Sequence, residues 1–263
     1  MIPANYHTHT RFCDGKNTPE ELVRRAMELG CRELGFSGHS YTFFDESYCM
    51  SKEGTREYAA AVGALQEKYR GQLRIRLGIE QDYWSDAPTD EYEYVIGSVH
   101  YVQKDGCYLP VDESRQLQVE NVSRFYNGDF YSFVEDYYET VGDVYRKTRC
   151  QIIGHFDLIT KFNGAGDLFD PRHPRYVAAA NRALKALMEA PVIMEVNVGG
   201  MARGYTAEPY PARDILTQWL AAGKPVVYSS DCHQAEQLLF GYADYEAYVK
   251  ACGLQNPGEK IFF

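Results

Sequence analysis

Apolar residues in this chain follow two rhythms. Short β-rich runs recur near residues 4–9, 34–39, 73–80, 94–100, 151–156, 192–197 and 225–233. Each has the length and composition of a buried strand. Between them lie helical patterns with clear boundary signals. Thr18-Pro19-Glu20-Glu21 predicts the start of the first helix, with an N-cap, a proline at the first helical position and a capping-box Glu; Gly30 is its stop. Further helices are predicted at about 53–70, 129–148, 174–190 and 211–222, with Gly71 and Gly223 as stops. The link at 81–93 is short and acidic, with room for one helical turn. Seven strands alternating with helices predict right-handed βαβ crossovers and a parallel sheet, either open or closed into a barrel.

The histidines decide between those two. Of the seven, at 7, 9, 39, 100, 155, 173 and 233, six fall at or just past the C-terminal end of a predicted strand. Glu80 and Asp231 hold equivalent positions, and the strand that lacks a histidine supplies Glu195 and Asn197. A barrel gathers its chemistry in a ring at that end, whereas an open sheet gathers it at one switch point. The pattern therefore predicts an α/β barrel. His7 and His9 are two apart, as are Asp231 and His233, so each pair is expected on one face of an extended strand. Thr8 and Cys232 would then turn away. His173, in DPRHPR, fits no such position and reads as surface.

Charge narrows the partners. With 27 basic and 37 acidic residues the formal net charge is −10, which argues against a nucleic-acid backbone. It leaves room for an anionic substrate held through bound cations. No apolar run approaches the roughly 18 residues of a membrane-spanning helix. The N-terminus lacks a basic-then-apolar export pattern. Seven scattered cysteines without a C-x-x-C pair fit a reducing cytosol. The expectation is one cytoplasmic globular domain over residues 1–263, with no membrane and no nucleic acid as partner.

Six segments sharpen this reading: HTHT (7–10), GFSGHS (35–40), LGIEQDYW (77–84), VIGSVHYV (95–102), IIGHFD (152–157) and SSDCH (229–233). In this order they resemble the polymerase-and-histidinol-phosphatase (PHP) superfamily, and the resemblance runs the whole chain. HTHTRFCDG, the EVN…R segment and the overall length are most similar to its stand-alone histidinol-phosphatases. The resemblance implies a distorted seven-stranded (β/α)7 barrel with up to three metal ions at the C-terminal face of the strands. It implies one ion on His7, His9, Glu80 and Asp231, and a second sharing Glu80 and adding His100 and His155. A third would use Asp14, His39 and His233, where many members have histidine in place of Asp14. It also implies a substrate-binding arginine at Arg203; because phosphoryl transfer calls for positive side chains, Lys161 and Arg11 are second-rank candidates.

Imidazole and carboxylate ligands suit two or three ions of zinc, manganese or iron alike. Three divalent ions against Asp14, Glu80, Asp231 and one hydroxide leave a charge of about +2, which suits a phosphate monoester dianion. The implied reaction is hydrolysis of L-histidinol phosphate by a metal-bridging hydroxide, with Glu80 bridging and Asp231 or His233 serving the leaving alcohol. Another small phosphomonoester or a phosphotyrosine stands as the alternative. A nuclease would need a basic approach path. A purely structural metal site would be a closed, cysteine-rich one.

Overall fold

A computed structural model describes residues 4–254 of the chain. Its strands are β1 (Ala4–Asn5), β2 (Glu33–Phe36), β3 (Arg74–Asp82), β4 (Tyr94–Ser98), β5 (Tyr101–Lys104), β6 (Cys107–Pro110), β7 (Ile152–Ile153), β8 (Ile193–Asn197) and β9 (Val226–Ser229). Seven of them form one sheet in the order β1-β2-β3-β4-β7-β8-β9, every pairing parallel, while β5 and β6 make a separate antiparallel hairpin. The sheet curls until its two edges meet. Thr8 and Cys232 pair in a parallel bridge, and the His9 N–H donates to the Cys232 carbonyl at 2.9 Å. Below that bridge the Asn5 amide donates to Ser230 Oγ at 2.8 Å and accepts from the Ser230 N–H at 3.0 Å. The result is a nearly closed seven-stranded β/α barrel, as the alternation and the histidine ring predict.

The helices are α1 (Pro19–Glu28), α2 (Lys52–Lys68), α3 (Arg115–Tyr126), α4 (Phe130–Thr148), α5 (Pro174–Met188), α6 (Gly199–Ala202), α7 (Arg213–Ala221) and α8 (Tyr242–Ala251). Helix α1 starts with the expected capping box between Thr18 and Glu21. Leu22, Phe36, Val62, Phe133, Leu187 and Trp219 are fully buried in the main core between helices and sheet. A second cluster joins Tyr6, Tyr94, Ile96, Ile152 and Val227. These come from opposite sides of the sheet, so they fill the barrel interior. Tyr94 dictates a neighbour there: a Cβ on Gly78 would fall 2.2 Å from its ring, so no side chain fits at that position. Among the described residues all seven cysteines are free, and no helix is long and apolar enough to cross a membrane.

Three differences from the sequence reading have physical causes. The link after β3 forms turns rather than a helical turn. Strands β4 and β7 stop short of their apolar runs, because side-chain carboxylates take amides just beyond them: Asp82 Oδ2 accepts the His100 N–H at 3.1 Å and Glu195 Oε1 the His155 N–H at 2.6 Å. Extended geometry also stops at Asp231, whose φ of +46° lies in the left-handed region, so the Asp231/His233 pair is not presented by a regular strand.

Asp157, two residues past His155, is buried and accepts the Ala212 N–H at 2.8 Å, capping the start of α7 from a distance. Its Oδ1 has no hydrogen-bond partner. Burial pushes its pKa up to about 7. A carboxyl whose pKa is higher in the folded chain binds its proton more tightly there, so its contribution to stability declines as pH rises from about 4 through 7. Asp157→Asn removes that decline. Its unfolding free energy from urea titration is expected to exceed that of the parent more at pH 8 than at pH 5, by on the order of 2 kcal/mol. A difference independent of pH would contradict this.

Candidate metal centre

Glu80, in β3 and fully buried, is the hub of the C-terminal mouth. Its Oε2 lies 2.8 Å from His39 Nδ1, 3.2 Å from His7 Nε2 and 3.5 Å from His9 Nε2. Its Oε1 lies 3.0 Å from His155 Nε2 and 3.5 Å from His100 Nε2, and accepts from Ser98 Oγ at 2.6 Å. Asp231 Oδ1 comes within 3.2 Å of His9 Nε2 and 3.7 Å of His7 Nε2. Asp14 completes the outer edge, 3.2 Å from His233 Nε2 and 3.6 Å from His39 Nε2. All nine sequence-predicted cluster residues are thus brought together. Three groupings within them could each hold an ion: His9, Asp14, His39 and His233; His7, His9 and Glu80; and His39, Glu80 and His100.

Four buried donor atoms here, His7 Nε2, His9 Nε2, Glu80 Oε2 and His155 Nδ1, have no hydrogen-bond partner. Glu80 Oε2 lies 3.2 Å from His7 Nε2 and 3.5 Å from His9 Nε2 without hydrogen-bond alignment. Such spacing is the edge of a coordination polyhedron with metal–ligand bonds of about 2.1 Å. Left unsatisfied, these atoms would be costly. The residues fit divalent metal.

Electrostatics point the same way. Burial alone would raise the Glu80 and Asp231 carboxyls, but His7, His39 and His100 hold the first, and Arg203 and His7 the second, well below the ordinary range. Burial, with His233 and His39 alongside, pushes His9 down to about 3, so its ring is neutral. Burial also opposes charge on His100, yet Glu80 and Asp82 bring it up to about 9. Without ions, protons on such rings balance the carboxylates.

Behind the rings stand two carboxylates. Glu195 accepts from His7 Nδ1 at 2.9 Å and from Asn197 Nδ2 at 2.8 Å, besides the His155 N–H. Asp82 lies 3.2 Å from His100 Nδ1 and accepts the Trp84 N–H at 2.8 Å. A carboxylate on the far nitrogen fixes the tautomer and ring orientation of a ligand histidine. Glu195→Gln keeps the shape but puts an amide N–H against one of three donors. It is expected to weaken zinc binding about 10–100-fold in chelator competition. Unchanged affinity would remove Glu195 from this role.

The cluster floors a cavity of about 300 Å³ whose walls include Tyr48, Tyr101, Glu113, Lys161, Arg203 and Tyr205. Arg203 donates to Asp231 Oδ2 at 3.0 Å and to the Asp231 carbonyl at 3.0 Å. Lys161 donates to the Asp112 carbonyl at 2.7 Å and pairs with its carboxylate at 3.1 Å. Arg11 is exposed and lies outside the cavity lining. His173 caps α5, accepting from the Arg175 N–H, and stacks on Tyr131, away from the cluster. A wider open groove of about 1240 Å³ runs between the β5–β6 hairpin and α4 and α5, and contains none of the cluster residues.

The family model of the PHP domain matches residues 5–199. The chain belongs to the PHP family. The match takes in seven of the nine cluster residues, and Asp231 and His233 join them from beyond it through the closure of the barrel. Among curated PHP relatives, the probable histidinol-phosphatase of Deinococcus radiodurans is 31% identical over 258 residues, 94% of this chain and 92% of that one. The histidinol-phosphatase of Bacillus subtilis is 29% identical over 96% of this chain and all of its own. Among solved structures, a putative histidinol phosphatase from Listeria monocytogenes superposes with a TM-score of 0.78 at 22% identity, covering 92% of this chain and 99% of that one. The histidinol phosphate phosphatase of Lactococcus lactis, in complex with zinc, L-histidinol and phosphate, gives 0.69 at 18% identity, covering 96% and 94%. Both have the same PHP barrel fold.

Proposed function

We propose that this chain is a metal-dependent phosphomonoesterase that hydrolyses L-histidinol phosphate to L-histidinol and phosphate. The observation that carries this reading is the gathering of nine donor side chains, Glu80 at their centre, on the floor of a cavity, with buried donor atoms that lack hydrogen-bond partners. The names of the curated relatives, and the zinc, L-histidinol and phosphate bound to the Lactococcus protein, support the substrate and the metal.

His7, His9, Glu80 and Asp231 would hold one ion and Glu80, His100 and His155 a second, with Asp14, His39 and His233 available for a third. The donor set suits zinc, manganese or iron. When bound, divalent ions supply Lewis-acid stabilisation of phosphoryl oxygens and make water nucleophilic at neutral pH. The chain's own residues do the rest. Asp82 and Glu195 add two buried negative charges behind the cluster, which lowers the three-ion balance from about +2 to about 0. Positive side chains must then meet the phosphate dianion. Lys161 is paired with Asp112 and Arg203 with Asp231; because Asp231 would also give its charge to an ion, Arg203 keeps more of its own for the phosphate. Asp231 and His233 both line the cavity; Arg203 and His7 keep Asp231 ionised, which leaves His233 as the candidate to pass a proton to the leaving alkoxide.

The leaving-group end supports a cationic aromatic alcohol. Tyr48, Tyr101 and Tyr205 present aromatic surface, and exposed Glu113 offers a carboxylate with no ion pair among the described residues. Metal-loaded protein is expected to show a kcat/KM for L-histidinol phosphate about 100-fold or more above that for p-nitrophenyl phosphate or a simple alkyl phosphate. Equal rates on all three would overturn the substrate and leave a phosphatase of another ester.

A further inference from the structure

The cluster histidines are not backed alike. His7 has Glu195 behind its ring and His100 has Asp82, but His9 Nδ1 meets the Sγ of Cys13 at 3.6 Å. The nearest carboxylate oxygen to that nitrogen, Asp14 Oδ1, lies 3.7 Å away and makes no hydrogen bond to it. Cys13 in turn directs its S–H to the Thr10 carbonyl at 3.4 Å. Two bonds follow in sequence, His9 Nδ1–H to Cys13 Sγ and Cys13 S–H to Thr10 O, each using one proton. A neutral imidazole has only one N–H. With that proton on Nδ1, the lone pair of Nε2 is left facing Asp231 Oδ1 and Glu80 Oε2 at 3.2 and 3.5 Å.

The fold keeps the sulfur in place from both sides. The Thr10 carbonyl also accepts the N–H groups of Cys13 and Gly15, at 3.0 and 3.1 Å, which tightens the turn after His9. On the far side is Gly38, where a Cβ would come 3.4 Å from Cys13 Sγ and 3.2 Å from both Sδ and Cε of Met50. The glycine before His39 thus leaves room for a thiol behind His9.

We propose that Cys13 is a positioning residue: its sulfur accepts the Nδ1 proton of His9 and so keeps the Nε2 lone pair on the metal cluster. This rests on His9 being a metal ligand, as proposed above. In ¹⁵N-histidine NMR of the zinc-loaded parent protein, His9 is expected to carry its proton on Nδ1 and to coordinate through Nε2. The opposite tautomer would overturn the proposal without any variant having to fold. In chelator competition Cys13→Ala is expected to lose about tenfold in zinc affinity, and Cys13→Ser, whose hydroxyl accepts the same proton, to recover most of it. Parental affinity in Cys13→Ala, with only a lower melting temperature, would make Cys13 a packing residue and overturn the proposal. Parent protein that binds no zinc would overturn the metal reading itself, and this inference with it.

Discussion

Glu80→Gln is expected to cost about 10³-fold or more in kcat/KM while leaving the fold intact. Both Glu80 oxygens are engaged from several sides: Oε1 by His155, His100 and Ser98, and Oε2 by His39, His7 and His9. Glutamine matches the volume but removes the charge and turns one oxygen into a donor aimed at imidazole nitrogens. Losing one preorganised electrostatic group at a reacting centre typically costs 10²–10³-fold. Here one substitution would disturb both of the proposed ion sites that share Glu80. Without metal, the variant should melt below metal-free parent while still folding, because the charge that balances protonated His7, His39 and His100 is gone. Phosphate release by metal-loaded variant within tenfold of the parent would show that Glu80 is not the hub.

Metal removal should cost stability as well as turnover. An ion present at about 1,000 times its dissociation constant stabilises the folded state by about 4 kcal/mol, or roughly 10 °C in melting temperature for a chain of this size. Five carboxylates within or directly behind the cluster, Asp14, Glu80, Asp82, Glu195 and Asp231, make that figure reasonable, since otherwise Arg203 and protonated histidines alone balance them. The sign with pH follows. His100 is raised to about 9 in the metal-free protein, so its proton contributes stability that is full below pH 6.5 and is lost as pH rises through 9. The gap in melting temperature between zinc-loaded and chelated protein should therefore widen from pH 6.5 to 9. A gap that is absent, or that closes with rising pH, would contradict this charge balance.

Much of the barrel is legible in the sequence because strands and helices announce themselves by period and by caps. Helices α3 and α8 do not. The buried face of α3 includes Gln118 and Asn121, and that of α8 is Tyr245, Tyr248 and Val249, so neither shows a clean apolar stripe. The β5–β6 hairpin lies beyond His100, where attention to the ligand hides a second β-rich run. In the metal cluster, histidines at strand ends are visible because so few residues of that type occur elsewhere. Asp82 carries a signal that is easy to pass over, since it lies two residues past Glu80 in the same strand and so shares its face. Glu195 could equally have been a buried hydrogen-bonding residue, and only its contact with His7 separates the two. Arg203 was expected to reach for substrate; its hold on Asp231 depends on the turn after β8, which no local pattern encodes. Cys13 lies inside HTHTRFCDG, but nothing in that segment marks its role, which rests on a hydrogen-bond chain folded back through Thr10.

The most direct single measurement is phosphate release from L-histidinol phosphate, followed in one sample before chelation, after chelation and after zinc is returned. Release that stops with the chelator and resumes with zinc is the expected result. Release that continues unchanged in excess chelator, or none from zinc-loaded protein at any stage, would contradict a metal-dependent phosphatase built around Glu80.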